Sequence, residues 1–326
     1  MLRTSSVIGM AIAMTVSVSA ADAQEKPADF PERPLTMIVP YGAGGGSDQL
    51  SRAMAAAMEP ALGQPIQVVN KPGGGGMAAV PDFMTAPADG YTILESIDDA
   101  VTNYVAGKLK EHPGENWEPL CMAQITFSQI YIRPDDDRFS DWESFLAYAK
   151  ENEVTLANLG NAGSMERINM KKLEDALGFA TNQIAFDKPA ERYAALIGAQ
   201  VDALFEQPGD VRNFLDADQM KPILTIYPER PEAFADVVTH SEAGADFEAL
   251  LRFRGFYIHP DVPEDRKRFL EATCKQGFDS AEFQTFNESK YMTLIDSYRD
   301  TAGSQELIAG AVDTYTAVYK EIGLID

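Results

Sequence analysis

Leu35–Asp48, LTMIVPYGAGGGSD, decides how the rest of this chain is read. Leu35 to Val39 is an apolar run of strand length, Pro40 ends it, and Gly42, Gly44, Gly45 and Gly46 allow a tight turn with its N–H groups directed inward. Ser47 is read as the N-cap of a helix carrying Leu50, Met54, Met58 and Ala61 on one face. Such a turn offers free N–H groups and the positive end of a helix dipole to an anion. A plain tight connection is the alternative, and the turn alone does not separate the two. Two nucleotide readings fail. A phosphate-binding loop needs Gly-Lys-Ser/Thr, whereas Gly46 is followed by Ser47 and Asp48. The dinucleotide spacing puts Ser47 or Gln49 where its last glycine belongs.

Upstream, Met1-Leu2-Arg3, the small apolar run Ser6 to Ala20 and Ala21-Asp22-Ala23 read as a cleaved signal peptide over residues 1–23. The mature chain is then expected to begin at Gln24 in the periplasm, with no second stretch approaching the roughly 18 apolar residues of a membrane span. Over 326 residues, 27 Lys and Arg stand against 50 Asp and Glu, a net charge of −23. Cleavage removes Arg3 and Asp22 and leaves that balance unchanged. Such a surface favours solubility and argues against nucleic acid as a partner. Cys121 and Cys274 are the only cysteines and have no metal-ligand spacing. A disulfide is open to them in an oxidising compartment. The expectation is nevertheless two free core residues, Cys121 in a strand-like run and Cys274 on a helix beside Phe269 and Leu270.

Downstream, strand Ile66–Val69, a second glycine turn through Gly75 and Gly76, a short helix over Met77–Ala86 and strand Thr92–Leu94 complete a βαβαβ unit with parallel pairing. Both glycine turns then lie at the sheet edge where such folds bind ligands. A strand over Ile125–Ile132 opens a second α/β unit, followed by a helix that begins at a Ser140/Glu143 capping box and carries Trp142 and Phe145. Thr155–Asn158, a helix from Ser164 to Leu177, Gln183–Phe186, a helix to Ile197 and Ala203–Phe205 continue the alternation. Asn158 to Ser164 is a strand-to-helix turn like the first. Beyond Ile223–Ile226 come a strand at Phe253–Ile258 and helices at Pro263–Lys275, Ala281–Ser289 and Ser304–Ile322. The expected class is α/β, with two lobes and a ligand cleft between them: 24–124 and 223–326 form one, 125–222 the other.

Pro31-Glu32-Arg33-Pro34, Ile38-Val39-Pro40-Tyr41 with Gly44-Gly45-Gly46-Ser47-Asp48, Leu62-Gly63-Gln64-Pro65, Asn70-Lys71-Pro72-Gly73 and Asp89-Gly90-Tyr91-Thr92 occur in that order. Together they resemble the periplasmic solute-binding proteins of tripartite tricarboxylate transporters, the Bug or TctC family. The likeness continues through Gly160-Asn161-Ala162-Gly163, Ala194–Asp202 and Glu321-Ile322-Gly323. It implies a two-lobed receptor that captures a small carboxylate and delivers it to integral-membrane transporter subunits, while one glycine-turn helix N-terminus per lobe predicts a monomer that closes around one small molecule. It also implies a carboxylate held by two turns, here Tyr41, Gly42, Ala43, Gly44, Gly45, Gly46, Ser47 and Asp48 on one side and Asn161, Ala162, Gly163 and Ser164 on the other. Glu206 falls where the family has an acidic residue, usually aspartate. Arg167 matches a customary histidine, and its guanidinium is a candidate clamp for the carboxylate, with a surface salt bridge as the alternative. Ser96-Ile97-Asp98-Asp99 replaces a loop rich in serine and threonine, so Ser96, Asp98 and Asp99 are candidate partners of a ligand hydroxyl or amine, with local capping as the alternative.

Catalytic chemistry finds little support. His112, His240 and His259 share no spacing with a nucleophile or second ligand, there is no G-x-S-x-G elbow, and Asp135-Asp136-Asp137 lacks the spacing of a calcium loop. No metal, cofactor or enzymatic activity is expected. A ligand-binding protein reporting to a membrane sensor would use the same cleft chemistry and stays open.

Overall fold

The computed structural model describes residues 26–160 and 162–326. The signal peptide reading lies outside the described residues, as does Asn161. Among the described residues, no helix is long and apolar enough to cross a membrane.

Two five-stranded sheets organise the chain. The first grows from β1 (Leu35–Val39), which pairs in parallel with β2 (Ile66–Asn70) on one side and β3 (Thr92–Ile97) on the other. The intervening crossovers are α1 (Gly46–Leu62) and the short α2 (Val80–Met84), so the βαβαβ reading holds. β10 (Arg252–Ile258) and β4 (Glu118–Thr126) then add antiparallel strands, giving the order β2-β1-β3-β10-β4.

The second sheet has the order β7-β6-β8-β5-β9, from β5 (Ser128–Ile132), β6 (Val154–Asn158), β7 (Thr181–Ala185), β8 (Ala203–Glu206) and β9 (Lys221–Ile226). Its first helical crossover is α5 (Met165–Leu177) between β6 and β7, and its second is α6 (Pro189–Ile197) between β7 and β8. The single strand expected over 125–132 is two: β4 ends at Thr126 in the first sheet, Phe127 crosses, and β5 begins at Ser128 in the second. β9 pairs with β5, so the second sheet runs to Ile226 and passes the expected return at 222/223. A continuous apolar run fits both halves of such a crossing, because each half is buried in its own sheet.

Helix starts differ from the sequence reading in two places. α1 starts at Gly46 with Gly45 as its N-cap, leaving Ser47 inside the first turn, and no side chain caps it. α4 (Trp142–Glu151) is capped by Asp141, which accepts from the Ser144 backbone N–H at 2.9 Å, so the capping box is one residue later than Ser140/Glu143. Aspartate accepts from the helix N–H groups as well as serine does, and the dipole favours its charge.

Over the first sheet, α1 packs against α8 (Glu264–Asp279) and α9 (Ala281–Ser289), burying Leu35, Met54, Leu120, Phe256 and Phe269. Cys121 on β4 and Cys274 on α8 meet in this core and form a disulfide, contrary to the expectation of two free thiols. α8 lies directly across β4, an adjacency that a 153-position separation conceals. α10 (Thr301–Glu321) contacts both β4 and α3 (Asp99–Val105). Near its end, the Tyr319 hydroxyl donates at 2.7 Å to the Gly163 carbonyl in the turn after β6, tying the last helix to the second lobe.

Candidate functional site

In each parallel unit the chain leaves the C-terminal end of a strand and turns into a helix, and these ends face each other across the gap between the sheets. Tyr41 and Gly45 to Ser47 follow β1, Ile97 ends β3, and Arg252 and Arg254 stand on β10. Opposite them are Leu159 after β6, Asp187, Pro189 and Arg192 around the start of α6, and Glu206, Gln207 and Asp210 at and beyond the end of β8. Together they enclose about 20 Å³, room for a single water-sized group. The lobes are therefore closed on each other.

The first glycine turn is built for this contact. Gly44 takes a φ of +83°, and its N–H donates to Asp48 Oδ2 at 2.9 Å. Asp48 also accepts from Asn70 and pairs with Arg52 at 2.9 Å. Burial opposes its charge, yet these bonds hold its carboxyl below the usual range. Asp48 thus shapes the turn. Gly42 and Gly45 lie against Lys188 and Pro189 of the opposite lobe, and a methyl group on Gly46 would fall on the Asp210 carboxylate and the Arg254 guanidinium. Ala43 and Gly44 are exposed at the rim.

Three buried arginines carry the electrostatics, and none was singled out from the sequence. Arg254 donates to Gln124 at 3.0 Å within its own lobe, then crosses to Gln207 at 3.2 Å and Asp210 at 2.5 Å. Arg252 pairs with Asp98 at 2.6 Å and reaches across to Glu166 in the first turn of α5. Arg192 makes two bonds to Glu206, at 2.9 and 2.5 Å, and one to the Phe186 carbonyl. Burial works against the charge of Arg252, but Asp98, Glu166 and Asp99 hold its guanidinium well above its ordinary range. One guanidinium serves these three carboxylates, and burial pushes each of them up despite it.

The expected site residues divide accordingly. Tyr41, Gly45, Gly46, Ser47 and Glu206 line the cavity. Tyr41 lies 3.3 Å from Asp99 Oδ2, and burial raises its phenol well above its usual value. Gly75 and Gly76 stand behind it: the Gly75 carbonyl accepts from Asn103, and Gly76 packs on the Tyr41 ring. Ser96 is buried in β3 opposite Gly255. Asp98 and Asp99 do not open into the cleft as expected; they lie beneath it, spent on Arg252, Tyr315 and Tyr41. Ala162 is exposed, and Gly163 and Ser164 are buried behind Leu159. Arg167 turns away from the cleft and donates to the Gln183 carbonyl at 3.0 Å. That bond engages one end of the guanidinium along β7, while its Nε is buried without a partner among the described residues.

Glu95, on β3, is the least satisfied group. It is fully buried, neither carboxylate oxygen has a hydrogen-bond partner among the described residues, and burial pushes it up to about 7. Its carboxylate lies among Ser47, Arg254, Arg252 and Asp210, all of which line the cavity. Ser47 and the two arginines favour its charge, but burial outweighs them.

Comparison with known proteins places these features. Residues 50–324 match the family described as "Tripartite tricarboxylate transporter family receptor", TctC. A UPF0065 protein of Bordetella pertussis is 28% identical over 280 residues, 84% of each chain. Protein BugT of the same organism is 26% identical over 75% of this chain and 74% of its own. Among solved structures, a TctC solute binding protein from Polaromonas is 26% identical with a TM-score of 0.62, over 90% of this chain and 99% of that one. The periplasmic binding protein BugD shares the fold at 24% identity and a TM-score of 0.79, with 90% and 99% covered. MatC from Rhodopseudomonas palustris, solved with bound malate, shares it at 23% and 0.78, with 89% and 99% covered.

Proposed function

The chain belongs to the tripartite tricarboxylate transporter receptor family, a family of receptors and not of enzymes, and from that premise we propose that it captures a small carboxylate between its lobes and presents it to membrane transporter subunits. One observation carries the reading. Three buried guanidinium groups and the uncapped N-terminus of α1 surround the one small cavity to which both sheets contribute among those described. Each of these groups favours a carboxylate.

The route follows from where the charges sit. Arg254 and Gly46 belong to the first lobe, and Asp210 to the second. Parting the lobes withdraws Asp210 and frees both the guanidinium and the α1 terminus, and a ligand carboxylate takes the vacated position before closure. The backbone of Tyr41–Ser47 supplies one wall, and the turn at Ala162–Ser164 supports the other. Bound malate in MatC, which shares the fold, agrees with this ligand class. Cleavage after Ala23 and a monomeric periplasmic receptor complete the proposal.

The test is thermal stabilisation of the mature, ligand-stripped protein by mono-, di- and tricarboxylates and by neutral amides. A ligand at 100 times its Kd adds about 2.7 kcal/mol. Stabilisation by neutral amides alone would overturn the reading.

A further inference from the structure

Around the cavity, six carboxylates are buried (Glu95, Asp98, Asp99, Glu166, Glu206 and Asp210) against the three guanidiniums of Arg192, Arg252 and Arg254. Lys290, at the end of α9, is close enough to act on Asp210, but burial lowers its own pKa and so weakens its hold on a proton. The pairing is uneven. Arg192 matches Glu206, Arg252 is shared by Asp98, Asp99 and Glu166, and Arg254 is committed to Asp210. Glu95 is left with two buried, unpartnered oxygens beside the cavity lining. A buried carboxylate without a partner is costly, and it is relieved either by a proton or by a cation.

A ligand carboxylate arriving on Arg254 makes the imbalance worse. It takes the guanidinium from Asp210, so Asp210, Glu95 and the ligand then stand around one positive charge. A purely anionic solute offers nothing in return, whereas a solute with its own cation settles the balance. We propose that the solute carries a protonated amine beside its carboxylate, and that Glu95 and Asp210 receive the amine while Arg254 and the α1 terminus receive the carboxylate. This rests on the carboxylate reading above and goes further by naming a zwitterion. The carboxylates expected from sequence to meet such an amine, Asp98, Asp99 and Glu206, are occupied by arginine.

The experiment is calorimetric titration of the mature protein with matched probes: butyrate against 2-aminobutyrate and 4-aminobutyrate, and succinate against aspartate. In at least one pair the amine-bearing member is expected to bind about tenfold tighter or more, a difference of about 1.4 kcal/mol. Glu95→Gln should cost that member about tenfold more than it costs its amine-free partner, and Asp210→Asn should act in the same direction. Equal or tighter binding of the amine-free member in every pair overturns the zwitterion while leaving the carboxylate reading standing. A preference undiminished in both variants overturns the assignment to Glu95 and Asp210. No binding by any probe overturns this inference, and the carboxylate reading is then decided by the thermal panel above.

Discussion

Arg254 on β10 and Asp210 beyond β8 meet at 2.5 Å, each almost fully buried and each from a different lobe. This pair spans the cleft at its centre, so closure and the salt bridge stand or fall together. Removing one partner of a buried pair typically costs about 3–5 kcal/mol, because the other is left uncompensated. Asp210→Ala is expected to approach that range in denaturant unfolding, unless the lobes part and water reaches Arg254. In that case the loss is smaller and the radius of gyration of the unliganded protein increases. Unchanged stability together with an unchanged scattering profile would show that the pair contributes nothing to closure.

Gly46 offers a way to obstruct closure from within a helix. A β-carbon there has no backbone penalty, since the residue sits in a helical first turn, and alanine is about 1 kcal/mol better than glycine inside a helix. It would, however, collide with Asp210 and Arg254. Gly46→Ala should therefore lower the melting temperature of the unliganded protein modestly, the helix gain offsetting part of the displaced Arg254–Asp210 pair, while reducing affinity for a stabilising carboxylate by about tenfold or more, as read by calorimetry. Gly44→Ala is the matched control. Its φ of +83° makes alanine cost about 1–2 kcal/mol, yet nothing lies within 4 Å of the added atom, so affinity should hold.

The outline of the fold was legible because apolar strands, glycine turns and amphipathic helices alternate in order, and local pattern is enough to read them. Leu35–Val39 and the turn after it announce a parallel unit on their own. What local pattern does not give is which strand returns to which sheet: β10 inserts between β3 and β4, carrying Arg252 and Arg254 to the cleft from more than 150 positions away. A signal was present in Arg252-Phe253-Arg254-Gly255-Phe256, two arginines at strand spacing in an otherwise apolar segment. Charge at a buried strand position requires a partner, and that reasoning leads to acids at other sheet ends. Arg167 misled for the opposite reason. Its place in the first turn of α5 is as expected, but helical rotation directs the side chain along β7 to the Gln183 carbonyl.

The Cys121–Cys274 bond closes a loop of 153 positions that contains all of the second sheet and, from the first lobe, β10 and most of α8. A cross-link over so long a separation restricts the unfolded chain strongly, and loss of a native disulfide typically costs about 2–5 kcal/mol. Replacing both cysteines by alanine should lower the urea midpoint accordingly, and reductant should shift the wild type toward the variant. Reductant should leave the variant itself unmoved. A midpoint insensitive to both treatments would assign the bond no part in stability.

Glu95 makes a prediction about pH whose sign is fixed by burial. Its carboxyl titrates at about 7 in the folded chain against an ordinary value of 4.5. Between those two values the folded state keeps a proton that the unfolded state releases, so stability is highest near pH 4.5 and falls as pH rises toward 7, levelling off above it. At about 1.4 kcal/mol per pH unit, the loss is on the order of 3 kcal/mol. The groups that set this environment are Ser47 from α1, Arg254 and Arg252 from β10, and Asp210 from the opposite lobe. Asp98, Asp99, Glu166 and Asp210 are also pushed up by burial and add slope of the same sign, so the diagnostic quantity is the difference between wild type and Glu95→Gln. Melting temperatures from about pH 4.5 to 8 should lie closest at the acid end, where glutamine resembles the protonated carboxyl, and diverge steadily from there with the variant more stable, most of the difference being reached by about pH 7. Parallel curves would mean that Glu95 holds one protonation state throughout, its charge met by a donor in the cleft. A zwitterionic ligand at saturation should bring the two curves together from the other direction, because its amine lets Glu95 ionise without that penalty.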